Sequence, residues 1–310
     1  MRACLRPRSG APRRASASHF RGRRGGATSG GGRSSVPELP EVETIVRGLA
    51  PRLEGYRIAR ARLHKTDVLR RVSKPRLLRT LRGNTIEEVI RRAKHAVFRL
   101  ASGHRLIVQP RMTGSLVVYD RALTRDEAKY AVLTCTIDDG RLLVYRDVRR
   151  LGTLWLLDQK GWDVYTSRIG PEPLEETFTP FVFADRLNGT RTAIKKAIMD
   201  QRRVAGVGNI YANEALFEAG IDPSKPTNRL SLEEFARLHA AVTGVLERAV
   251  KSSGTTVRDY RTGTGEEGRF QFELKVYGRG GEPCVVCGKQ LVTTHAIDLR
   301  ATTFCPNCQR

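Results

Sequence analysis

Residues 37–43 read Pro37-Glu38-Leu39-Pro40-Glu41-Val42-Glu43, two prolines and three carboxylates in seven residues. Proline is favoured in the first turn of a helix, and acids there suit the macrodipole. Val42, Ile45, Val46 and Leu49 then supply an apolar stripe at helical spacing. A helix start accounts for the composition, and the same residues also offer chemistry. If the chain began at Pro37, its nitrogen would be a free secondary amine. An α-amine has a pKa near ~8, so a useful fraction is neutral and nucleophilic at pH 7. Glu38 would sit beside it as a proton donor or acceptor. In the chain as it stands Pro37 follows Val36 in a peptide bond. An amide nitrogen is not a nucleophile, so this form is expected to be inert at the site.

The conflict falls on residues 1–36. They carry nine arginines, no lysine and no acid, filled out with Gly, Ser and Ala. Such a segment cannot bury a core and is expected to be disordered. It has no apolar run, which excludes a secretory signal and a membrane anchor. The favoured reading is an upstream region included through the choice of start site. A valine codon can start translation, and Val36 stands where an initiator Met would be removed. An organelle transit segment has the same Arg-rich, acid-free composition. A basic tail that binds nucleic acid is the third reading.

The formal charge of the whole chain is +23 over 310 residues. Without the nine tail arginines, 46 basic residues face 32 acidic ones, a net of +14. The folded part is therefore basic itself, which implies a polyanionic partner, most simply nucleic acid. A chain of this length suggests about two domains. With no run of about 18 apolar residues, a membrane span is not expected.

Residues 51–160 read as β-rich. Short apolar or alternating runs occupy 96–100, 105–108, 115–119, 132–137 and 141–145, with turn signals at Ser102-Gly103 and Asp138-Asp139-Gly140. Strands this close in sequence predict an antiparallel sandwich with the first helix packed alongside. Cys135 reads as a strand residue. Gly170-Pro171-Glu172-Pro173 reads as a linker.

Residues 178–252 read as helical. A helix is expected over 191–200, and another after Ser231, a good N-cap followed by Glu233 and Glu234. Between them Ala205-Gly206-Val207-Gly208-Asn209 is a glycine turn whose amides could receive a phosphate at the next helix start. The sequence GVGN alone is a weak signal, and a plain tight turn is its default.

Cys284-x-x-Cys287 and Cys305-x-x-Cys308, separated by seventeen residues, match a four-thiolate structural zinc site with no open position for catalysis. Two disulfides are the alternative, disfavoured in a large chain without a signal peptide. Arg300 lies between the pairs, on the hairpin such a finger would form.

These motifs converge. PELPEVET at 37–44, RRAKHAVFRL at 91–100, MTGSL at 112–116 and DVRRLG at 147–152 recur in one family. So do the long stretch TAIKKAIMDQRRVAGVGNIYANEALFEAGI at 192–221, SGTTVRDY at 253–260, ELKVYGRGGEPC at 273–284 and RATTFCPNCQR at 300–310. The chain from 37 to 310 resembles bacterial formamidopyrimidine-DNA glycosylase. The relative that cuts oxidised pyrimidines typically opens PEGPE, so PELPEVET points to the oxidised-purine branch. The resemblance implies an α+β fold: a β-sandwich domain with a flanking helix over 37–170, and a helix-two-turn-helix DNA-binding domain over 171–260. The end of a lesion loop and a zinc finger would fill 261–310.

It also implies roles. Pro37 would attack C1′ of the damaged nucleotide, and Glu38 would transfer protons at the sugar. Lys94 would contact the lesion phosphate and assist elimination, and Arg300 would grip phosphates and serve the second elimination. Asn209 would bind backbone phosphate, with Arg191 and Lys195 on the DNA-contacting helix start. Met112 and Arg149 match two of the family's three void-filling residues, and Leu151 stands where the third is phenylalanine. Tyr130 stands at a DNA-contacting histidine, and the family's HLGM reads Gln109-Pro110-Arg111-Met112. One structural Zn2+ at the four cysteines is implied, and duplex DNA with oxidised purines as the partner. A monomer is expected in a bacterial cytoplasm at the nucleoid, or in an organelle if 1–36 is a transit segment. The competing reading is a non-catalytic zinc-finger DNA-binding protein whose Pro37 is blocked by the extension.

Overall fold

The computed structural model describes residues 37–255 and 269–310. The expected disordered extension 1–36 lies outside them, as do most of the SGTTVRDY motif and the start of the expected 261–310 segment.

Helix α1 (Leu39–Leu53) begins with Pro40 in its first turn and buries Val42, Ile45, Val46, Leu49 and Leu53 along one side. This is the stripe the spacing predicts. Two four-stranded antiparallel sheets follow. One runs β1 (Ile58–Leu63), β6 (Ala131–Ile137), β7 (Leu142–Asp147) and β5 (Gly114–Tyr119) in spatial order. The other runs β2 (Ile86–Arg92), β3 (His95–Leu100), β4 (Arg105–Gln109) and β8 (Thr153–Leu157). Their inner faces share one core, in which Leu116, Leu133, Cys135 and Tyr145 meet Val89, Phe98, Leu106, Val108 and Leu156. The inward residues of β5 alternate strictly, as a half-buried strand requires. Short helices α2 (Lys74–Leu81), α3 (Arg125–Lys129) and α4 (Gln159–Thr166) fill the connections.

A second core lies among α5 (Pro180–Leu187), α6 (Ile194–Ile198), α7 (Asn209–Ala219) and α8 (Leu232–Lys251). Ser231 caps α8 in a capping box with Glu234. Leu39, at the start of α1, belongs to this second core and not to the sandwich. The chain's first described residues are thus anchored on the helical part while the rest of α1 packs on the sandwich.

The helix expected over 191–200 is only α6. Residues before it are drawn into pairing with the segment after α7: the Thr227 amide donates to the Thr192 carbonyl, and the Ile194 amide to that of Lys225. Long-range backbone pairing wins over a helical apolar spacing that is only five residues deep. The last strands, β9 (Val292–Thr294) and β10 (Thr302–Phe304), form a hairpin. A small cluster of Phe217, Val276, Cys284, Leu291 and Cys305 ties that hairpin to α7.

Candidate active site

Pro37 is buried, and Glu38 is held at 3 % exposure. The Glu38 amide donates to Glu41 Oε2 at 2.8 Å. Its side chain stands at the N-cap of α1. It reaches across to the helical part, where Oε1 accepts from the Ile210 amide at 3.0 Å. That amide is in the first turn of α7, whose N-cap is Gly208. The orphan donors of a helix start are here satisfied by a carboxylate distant in sequence, a pairing the macrodipole favours. Glu38 Oε2 is buried and has no hydrogen-bond partner among the described residues. Burial pushes the Glu38 carboxyl up from its usual range, against the pull of Lys94 and the α7 amides.

Lys94 occupies the β2–β3 turn. Arg92 pairs with His95, so Ala93 and Lys94 form a two-residue turn, with Ala93 at φ 51°. Three anchors fix this turn. Arg91 and Arg92 both reach Glu172, at 2.5 and 2.6 Å, and the Ala93 amide also donates to Glu172. On the other side His95 is stacked edge-on to Tyr165. Burial lowers its pKa to about 4, so it is neutral near pH 7. Its Nδ1 faces the Arg92 carbonyl at 3.0 Å and must donate there, which leaves Nε2 to accept from Tyr165 at 2.9 Å.

Gly208 measures how close the two functional groups come. A Cβ on it would lie 2.3 Å from Glu38 Cδ, 2.4 Å from Glu38 Oε1 and 2.4 Å from Lys94 Nζ. The carboxylate and the ammonium flank one point, and only hydrogen fits there. Burial lowers the Lys94 pKa, the Arg300 guanidinium lowers it further, and Glu38 opposes the shift. Glu38, Lys94 and Arg300 thus form one electrostatic cluster assembled from α1, the sandwich and the C-terminal hairpin. Glu41 backs it. Its Oε1 receives Tyr211 Oη at 2.5 Å and the Thr255 amide at 2.7 Å, and desolvation with the neighbouring Glu38 raises its pKa to about 7.

The other expected residues divide into groups. Asn209 opens α7 and donates to the Ala301 carbonyl at 3.1 Å, beside Arg300. Arg191 is exposed. Lys195 departs from expectation: its side chain is fully buried and its ammonium is turned to Thr302 Oγ1 at 2.7 Å and Asp298 at 3.3 Å. It braces the hairpin carrying Arg300 and presents no charge to the surface, because α6 packs that face inward. Its neighbour Lys196 is exposed and lines a cavity of about 410 Å³ with Arg202, Arg203 and Arg300.

Met112 and Arg149 lie on two loops that meet, the Arg149 guanidinium 3.7 Å from the Met112 sulfur. A single carboxylate holds both loops. Asp147, at 1 % exposure, accepts from Thr113 Oγ1, Tyr145 Oη and the amides of Arg150 and Gly152. The Asp147 amide in turn donates to the Tyr130 carbonyl at 3.0 Å. Leu151 stays 37 % exposed.

The four C-terminal cysteines carry free thiols whose sulfurs all lie within 4.8 Å of one another. Cys284 and Cys308 are 4.0 Å apart, Cys287 and Cys305 3.5 Å. Four thiolates at a metal–sulfur bond of about 2.3 Å sit about 3.8 Å apart in a tetrahedron, and a disulfide needs about 2.05 Å. The spacing fits a shared metal ion.

Two family profiles match: residues 36–154 fit the N-terminal domain of formamidopyrimidine-DNA glycosylase, and 169–261 its H2TH domain. The formamidopyrimidine-DNA glycosylase of Thermomicrobium roseum is 42% identical over 288 residues, covering 88% of this chain and 99% of that protein. The chain belongs to the formamidopyrimidine-DNA glycosylase family. Among solved structures, a Lactococcus lactis Fpg variant in complex with DNA containing Fapy-dG superposes with a TM-score of 0.80 at 35% identity. That match covers 88% of this chain and all of the other, 100%. The wild-type Lactococcus lactis Fpg with DNA containing an oxidised pyrimidine gives 0.79 at 34%, over 88% and 100% of the two chains. As a family member the protein is a DNA glycosylase of base excision repair with AP lyase activity, and the competing non-catalytic reading is not favoured.

Sequence reasoning did not single out Gly208 as a cradle, or Glu41, Glu172 and Asp147 as the carboxylates that hold the working parts. Glu172 carried a local signal, a lone acid between the two prolines of the linker.

Proposed function

We propose that the active form begins at Pro37 and excises oxidised purines, such as 8-oxoguanine and formamidopyrimidines, from duplex DNA. The observation that carries this reading is the buried Glu38 oxygen without a partner among the described residues, set beside Lys94 and next in the chain to Pro37. The damaged base must leave the stack to reach such a site, at a cost of a few kcal/mol.

The free Pro37 amine attacks C1′. The C1′–N bond breaks and the base departs with the proton the amine gives up; the C1′–O4′ bond then opens, O4′ is protonated, and the Pro37 nitrogen becomes a cationic iminium. Glu38 moves protons at the opened sugar. The iminium draws electrons from the C2′–H bond. Loss of that proton expels the 3′ phosphate, and a second elimination expels the 5′ phosphate. Lys94 and Arg300 hold and stabilise the phosphates that leave. Asn209 binds backbone phosphate, Arg191 and Tyr130 contact the DNA, and Met112, Arg149 and Leu151 occupy the vacated base position. Leucine is an accepted apolar wedge. In this reading Lys195 serves DNA binding only by holding the Arg300 hairpin.

The ion at Cys284, Cys287, Cys305 and Cys308 is one structural Zn2+, which stiffens the finger. Among the described residues no helix is long and apolar enough to cross a membrane.

The test is excision by the Pro37-starting chain from two duplexes, one with 8-oxoguanine and one with an oxidised pyrimidine. Faster single-turnover release of 8-oxoguanine is expected. Preference for the pyrimidine would assign the protein to the other branch.

A further inference from the structure

A second cationic cavity lies on the sandwich, at the end of β1, beside Tyr130 and apart from the Glu38–Lys94 cluster. It has a volume of about 520 Å³ and is lined by Arg62, His64, Lys65, Lys74 and Lys129 over a floor of small and apolar residues. No carboxylate lines it. The carboxylates nearest in sequence are engaged elsewhere: Asp67 pairs with Arg150 at 3.1 Å, and Glu127 with Arg121. Among the described residues, Arg62, Lys65, Lys74 and Lys129 make no ion pair.

The convergence of charge costs stability in two ways. Arg62, Lys65 and Lys74 together act on His64 and add to the burial that lowers its pKa. Lys74 also stands in the first turn of α2, capped by Ser73 and containing no acid. A cation there opposes the helix dipole. Like charges gathered without counter-charges suit an anion better than they suit the empty fold.

The cavity is joined to the loops that carry Arg149. Asp67, two residues beyond Lys65, holds Arg150, and the Arg70 amide donates to the Leu154 carbonyl at 2.9 Å. On the opposite wall Lys129 lies over the Tyr130 ring at 5.1 Å, and the Tyr130 carbonyl receives the Asp147 amide. Two independent connections therefore run from the cavity to the Asp147 platform.

We propose that this cavity is a second phosphate-binding site for duplex DNA, engaging the backbone beyond the base pairs that the Met112–Arg149 loops disturb. The proposal rests on the DNA-glycosylase reading above. Arg62 and Lys74 grip the backbone, and Lys65, Lys129 and His64 line the same cavity and add to its positive charge. The ligand is the phosphodiester and not the base, so the site lengthens the footprint without altering lesion choice.

The experiment compares the Pro37-starting chain with its Arg62→Gln/Lys74→Gln variant on two lesion duplexes that differ only in length. Affinity is measured against salt concentration. On the long duplex, the slope of log K against log salt should be shallower in the variant by about 1 to 2, at about 0.9 for each phosphate no longer neutralised. On a duplex too short to extend past the wedge the slopes should coincide. Equal slopes on the long duplex would overturn the proposal, as would an equal drop on both lengths. A loss of inorganic pyrophosphate binding in the variant with unchanged DNA slopes would also overturn it, since the cavity would then serve a small anion. If the slopes separate as expected while the unsubstituted chain fails to excise 8-oxoguanine, the cavity stands and the catalytic reading falls.

Discussion

The Glu38–Lys94 cluster and the Met112–Arg149 loops are each held by a buried carboxylate network, yet they present their working groups differently. At the first, Glu38 is almost fully removed from water, and the protonation of Glu38, Glu41 and Lys94 is shifted by that burial. At the second, the buried group is Asp147, while Arg149 and Leu151 remain exposed above it. A desolvated group is placed to change charge during a reaction. An exposed side chain on a rigid platform is placed to enter something else, here the space a displaced base leaves. Substitutions in the first region should therefore act on proton transfer and rate, and substitutions in the second on the geometry of the duplex.

The largest separation is expected from Glu38→Gln. The amide carbonyl can keep the Ile210 hydrogen bond, so the fold and lesion binding should persist. Base removal should slow by ~10²–10⁴-fold, the contribution of a positioned proton-transfer group. Unchanged single-turnover excision would remove Glu38 from the chemistry.

The next effect is in pH. Glu41 has its pKa raised to about 7 from 4.5. Its stabilisation is complete below pH 4.5 and is lost as pH rises through 7 and the buried carboxyl ionises. At ~1.4 kcal/mol per pK unit the loss is bounded by roughly 3.5 kcal/mol. Urea unfolding between pH 5 and 8 should show this decline, and Glu41→Gln should flatten it. An identical decline in both proteins would assign it to other groups.

Gly208→Ala should cost less in stability, about 1–3 kcal/mol for an overpacked site. Since the added methyl meets both Glu38 and Lys94, the excision rate should fall more than lesion binding does. A variant that binds and cuts normally would show that the two groups need not be so close.

Arg149→Ala should produce a loss of ~1–3 kcal/mol in excision and none in the fold. It should fall on a paired lesion more than on a pre-formed abasic site, which has no base to extrude. Equal slowing on both substrates would reduce Arg149 to a phosphate clamp.

The strands at 96–100, 105–108, 115–119, 132–137 and 141–145 were legible because their runs are apolar or alternating and Gly103 and Gly140 mark two of the turns between them. β1 and β2 were not, because the arginines of Ile58–Leu63 and the charged residues of Ile86–Arg92 hide a single buried face. Pro37, Glu38 and Lys94 could be placed through contiguous motifs. The inward turn of Lys195 was not legible, because local spacing does not say which side of a five-residue helix faces the interior. The bond from Ile210 to Glu38 joins residues 172 apart, and Asp147 acts through loops distant in sequence. Such pairings are set by tertiary packing, which no local pattern records.

The central claim is that a free amine at Pro37 opens the reaction. Borohydride reduction during turnover on 8-oxoguanine DNA tests it directly, using the chain that starts at Pro37 and the full chain with its N-terminus verified by mass spectrometry. The account predicts a covalent protein–DNA adduct with the first and none with the second. Equal trapping by the intact full chain would contradict it, because Pro37 there is an amide.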